Sequence, residues 1–94
     1  MTVIQFKIAQ AADPVLLTLY SVRAYWSDRG KLVEGRLQQF GSMEAALRAG
    51  KQAALRSPAV RVFRVRGNAE ADYWEDPVTV AKYGDRAGEL GPIL

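Results

Sequence analysis

GSMEAALRAGKQAALRSP, residues 41–58, is the stretch on which the fold turns. Met43, Ala46, Leu47, Gly50 and Ala54 recur at helical spacing and form one apolar stripe. Glu44, Arg48, Lys51, Gln52 and Arg56 take the wet side. Ser42 is the expected N-cap, because its hydroxyl can accept a hydrogen bond from a free N–H of the first turn. Glu44 suits the positive end of the helix dipole and stands i,i+4 to Arg48. Ser57-Pro58 closes the helix, since a residue before proline resists the α region. The stripe is built of small residues, so the helix is expected to lie close against a sheet.

On either side the period changes to two. Upstream, Val15 to Trp26 is rich in Leu, Tyr, Val and Trp and reads as a long, largely buried strand. Asp28-Arg29-Gly30 is expected to form a three-residue hairpin loop, with Lys31 to Phe40 as the return strand. Nearer the N-terminus, Ile4, Phe6 and Ile8 alternate with Gln5 and Lys7, which predicts a half-buried strand over Val3 to Ala9. Downstream, Ala59 to Arg66 is β-branched and reads as a strand. Gly67-Asn68 fits a two-residue turn, after which Ala69 to Glu75 would return antiparallel and bring Glu70 and Asp72 near Arg64 and Arg66. Asp76-Pro77 suits the start of a short helix closed by Gly84, while Val78-Thr79-Val80 equally suits a strand.

The expected fold is therefore α+β: a small antiparallel or mixed sheet in the order β-β-β-α-β, with room for a fifth strand and one helix on a face. Residues 1–84 would form a single domain and residues 85–94 a mobile tail. The second face of the sheet needs a cover, which Trp74, Val78, Val80 and Tyr83 are placed to provide.

Composition narrows the chemistry. Of 94 residues, 49% are hydrophobic and 24% charged, which is ordinary for a globular domain. Cysteine and histidine are both absent, which removes thiolate chemistry, the commonest general acid–base group and the commonest metal ligand. No enzyme, metal or other cofactor is expected, and no small-molecule ligand. The glycines match neither dinucleotide-binding nor P-loop spacing. Of the acidic clusters, Asp28 with Glu34 and Asp72 with Glu75 and Asp76, Asp28 sits in a predicted turn and Glu75-Asp76 precedes a proline in a loop, so they read as solvated or capping groups. The first residues lack a signal-peptide pattern, and no apolar run is long enough to span a bilayer. A soluble, cytoplasmic protein follows as the expectation, and the richness in Ala, Arg and Gly points to a GC-rich bacterial genome.

Charge is unevenly placed. Residues 1–66 carry eleven basic and four acidic side chains, whereas residues 67–94 carry two basic and six acidic ones. Arg48, Lys51 and Arg56 on the helix, with Arg61, Arg64 and Arg66 on the next strand, are candidates for a basic binding surface. Tyr25, Trp26, Tyr73 and Trp74 are candidate interface aromatics. Two functions fit these residues. The first is a non-enzymatic module that binds another protein or itself. The second is a nucleic-acid-binding module, although the sequence holds no RNP motif, helix-turn-helix or zinc finger.

Overall fold

A computed structural model describes residues 16–68 and 70–91. Its elements run β1 (Leu17–Asp28), β2 (Lys31–Phe40), α1 (Met43–Ala53), β3 (Ala59–Asn68), β4 (Tyr73–Trp74) and β5 (Val78–Tyr83), followed by a single 3₁₀ turn at Ala87–Glu89. The fold is a small α+β one, an antiparallel sheet with one helix. The strand expected over Val3 to Ala9 lies outside the described residues, which themselves run β-β-α-β-β-β. β1 and β3 are central; β2 pairs with β1, while β4 and β5 share the far side of β3.

The first hairpin is tighter than expected. Asp28 pairs with Lys31, so the loop is only Arg29-Gly30, with φ of 54° and 81°. Positive φ at both central positions marks the turn type whose twist matches that of the flanking strands. Arg29 accepts the left-handed region there, and three loop residues are not needed.

The helix starts as the sequence implies. Ser42 has extended backbone, and its Oγ accepts from Ala45 N at 3.2 Å. Arg48 Nη2 donates to Glu44 Oε1 at 3.1 Å. Ser42→Ala is expected to cost about 1 kcal/mol, read as a lower urea midpoint with an unchanged slope. The helix lies on Val22, Val60 and Val62, which together with Ala46 form the buried centre. Each such valine contributes on the order of 2 kcal/mol by leaving water. Tyr20, Phe40, Leu47, Val80 and Tyr83 pack around them.

The second hairpin differs in register. Gly67 and Asn68 belong to β3, and the return strand is only Tyr73–Trp74. Asn68 turns the chain through its side chain: Oδ1 accepts from Glu70 N at 2.9 Å and from Ala71 N at 3.2 Å, and Asp72 takes φ 51°. A side-chain turn of this kind replaces the two-residue loop. Its consequence is that Glu75, not Glu70 or Asp72, meets Arg66, with Nε–Oε1 at 3.3 Å.

Residues 78–83 form a strand, the alternative that pairing along β3 selects over a short helix. Trp74, Val78, Val80 and Tyr83 are consequently members of the sheet and not a cover for its second face; Val80 and Tyr83 pack toward the helix. What reaches the second face is the chain beyond Gly84. Arg86 N donates to Pro58 O at 2.9 Å, Lys82 Nζ donates to Leu90 O at 3.0 Å, and Leu90 is buried.

Candidate binding groove

α1 covers the sheet unevenly and leaves the β1–β2 side of its own face open. The register between Arg23 and Tyr25 slips by one residue, so that Gly35 and Arg36 together oppose Ala24. Such a bulge bends the strand and re-aims the side chains that follow. Beyond it Arg36, Gln38 and Phe40 share one face, the face that carries Val22, Ala24 and Trp26.

The result is a groove of about 420 Å³ between β1, β2 and the C-terminal half of α1. Val22, Ala24, Phe40, Ala49 and Ala53 make an apolar floor. Trp26, 56% exposed, forms one wall. Its indole lies directly over Gly35: a Cβ at that position would run into Trp26 Nε1 and come within 2.9 Å of Cδ1. The glycine therefore makes room for the ring. Gln38, Gln52 and Ser57 add neutral polar groups, and Arg36 and Arg56 bring two guanidinium groups to the rim. Among the described residues, no carboxylate lines the groove. It opens beside β2, whose outer edge has no strand partner among the described residues.

An apolar floor next to two cations favours an apolar group that carries negative charge. A strand edge with no partner among the described residues adds a row of backbone donors and acceptors suited to an extended chain. No three of Asp, Glu, His or Cys gather closely enough to hold a metal ion among the described residues. None of their helices is long and apolar enough to cross a membrane.

The residues singled out from the sequence are dispersed. Of the six basic candidates, only Arg56 lines the groove. Arg48 is paired with Glu44 on the exposed side of α1, and Lys51 is exposed one turn on. Arg66 is paired with Glu75. Arg61 is 5% exposed and points to the opposite face of the sheet. Arg64 is half-buried, level with Tyr20. Among the aromatic candidates Trp26 is in the groove, while Tyr25, its neighbour in β1, faces the other way. Tyr73 and Trp74 are exposed on β4, with Trp74 laid over Gly67.

Sequence reasoning passed over Arg36, Gln38 and Gln52. The visible signal for them was Gly35 inside a strand, a mark of a bulge that changes which side the next residue faces.

A single cation, Arg86, holds the first hairpin turn. Arg86 donates to Ser27 Oγ at 3.1 Å, to Gly30 O at 2.8 Å and to both carboxylate oxygens of Glu89 at 2.7 Å. The hydrogen bonds from Arg86 hold the Glu89 carboxyl below its ordinary value, and the same contact raises Arg86.

No family model, no curated protein and no solved structure matches the chain.

Proposed function

We propose that this chain is a non-enzymatic protein-binding module, whose groove takes an extended segment carrying an apolar side chain next to a carboxylate. The observation that supports it is the juxtaposition in one place of an open apolar floor, two guanidinium groups and a strand edge with no partner among the described residues. A segment added along β2 would satisfy the edge, and its alternate side chains would enter the groove. Arg36 and Arg56 would pair with its acidic group, and Trp26 would supply the large, rigid contact typical of an anchoring position.

The nucleic-acid reading draws less support. Arg48 and Arg66 already face carboxylates, and Arg61 is buried on the other side of the sheet.

The test is a fluorescence-anisotropy titration with two probes, acidic peptides bearing one leucine or tryptophan and single-stranded oligonucleotides, at low and near-physiological salt. Saturable peptide binding is expected, weakened at least about tenfold in Arg36→Glu/Arg56→Glu and in Trp26→Ala. Circular dichroism of the variants should stay unchanged, because all three side chains are exposed. Oligonucleotide binding that falls steeply with salt, with no peptide binding, would overturn the reading in favour of a nucleic-acid module.

A further inference from the structure

On the face away from α1 the sheet carries a row of cations. Arg23 of β1 is directly opposite Arg61 of β3, and Arg61 is directly opposite Lys82 of β5. Three positive side chains thus stand side by side on neighbouring strands, where like charges repel. None of the three forms an ion pair among the described residues; the pairs there are Arg48–Glu44, Arg66–Glu75 and Arg86–Glu89.

Arg61 is the most deeply placed. Its Nη1 donates to Thr79 Oγ1 at 3.0 Å and its Nη2 to Gly91 O. Its Nε is buried with no acceptor among the described residues. Lys82 Nζ donates to Leu90 O at 3.0 Å. Arg23 Nη1 donates to Gly35 O at 2.8 Å. Every oxygen recorded on these cations is neutral. A guanidinium withdrawn from water with an unmet donor and no counter-charge among the described residues is held against a large desolvation penalty, which an anion would offset.

We propose that Arg61 and Lys82, with Arg23 beside them, form a binding site for a phosphoryl oxyanion, closed by residues 86–91. The carbonyls of Leu90 and Gly91, consecutive in the chain, each occupy one of the two cations. They stand where two oxygens of the ligand would sit. Three cations in a row suit a phosphoryl group, with close to two negative charges and three acceptor oxygens, better than a single carboxylate. Because Nε is shut off from solvent, the ligand enters only when Leu90, 7% exposed, leaves its place. Thr79 Oγ1 stays as a neutral partner of Arg61. The site lies across the sheet from the groove and is independent of it.

The first probe is inorganic phosphate, titrated into the full chain at constant ionic strength against chloride and followed by amide shifts in ¹H–¹⁵N spectra. Saturable shifts are expected at Thr79, Lys82, Leu90 and Gly91, and Lys82→Met should bind about tenfold more weakly. Leu90→Ala should bind more tightly, because the closing segment then competes less well. Arg61→Gln is a second loss-of-site variant where it folds; Lys82→Met and Leu90→Ala carry the test without it. A phosphoserine peptide, a nucleoside monophosphate and phosphatidic acid vesicles identify the source. Tighter binding in one of these arms supports the site and assigns it that ligand, and equal affinity for inorganic phosphate supports the free ion. Shifts identical in phosphate and chloride, or a Leu90→Ala affinity no tighter than that of the unaltered chain, would overturn the proposal.

Discussion

Gly84→Ala is expected to lower the unfolding free energy by about 3 kcal/mol, the sum of left-handed backbone strain and overpacking. Gly84 has φ 103°, a region that an L side chain enters only at a cost. A Cβ there would lie 2.5 Å from Pro58 O, 3.0 Å from Pro58 C and 3.1 Å from Ala59 Cα. All three are backbone atoms, so no change of rotamer relieves the contact. Pro58 O also accepts from Arg86 N at 2.9 Å, and Ala59 is fully buried. The strain therefore reaches both the start of β3 and the segment that closes over Arg61. Urea unfolding measures it, with Gly88→Ala as the control. Nothing lies within 4 Å of a Cβ at Gly88, and its change should stay within about 0.5 kcal/mol. Equal midpoints for the two variants would rule out this approach of β5 to Pro58.

Gly50→Val should be comparably damaging, by about 3 kcal/mol, at the contact between helix and sheet. A Cβ at Gly50 would come within 2.7 Å of Val62 Cγ2 and within 3.0 and 3.1 Å of the Tyr83 ring. Val62 is fully buried and stiff at χ1, so it cannot turn aside. Gly50→Ala separates two opposing effects. Alanine gains about 1 kcal/mol of helix propensity over glycine, yet it meets the same valine methyl. A net loss of stability is expected, and it should shrink in Gly50→Ala/Val62→Ala relative to the sum of the single changes. Additivity in that cycle would mean that α1 does not approach β3 at this point.

Local chemistry made a good part of the fold legible. The Ser42 cap, the small-residue stripe of α1 and the strands on either side rest on interactions within a few residues, whereas the helix itself stops at Ala53, short of the end expected at Ser57-Pro58, and passes into a turn. The bulge at Gly35 and the close packing at Gly50 were readable for the same reason, since a glycine inside a regular element marks a place where something comes near. The second hairpin was misread because Gly67-Asn68 looks like a turn in isolation. In the structure Gly67 instead makes room for Trp74, and Asn68 turns the chain through its side chain. The strand at Val78–Tyr83 was undecidable locally, because the free side of β3 is the deciding partner.

The candidate sites follow the same division. Composition showed an excess of cations in the first two thirds of the chain, but alternation along β3 sends Arg61 to one face and Arg64 and Arg66 to the other. One patch in the sequence became an ion pair, a buried guanidinium and a half-buried neighbour. The groove depends on which half of the sheet α1 leaves open, and the row Arg23–Arg61–Lys82 exists only through the register of three strands. By itself the sequence determined the helix, the first hairpin and the absence of histidine and cysteine. Tertiary structure alone decided which side chains share a face, because a strand's period of two makes every such neighbour depend on a register set by residues far apart in the chain.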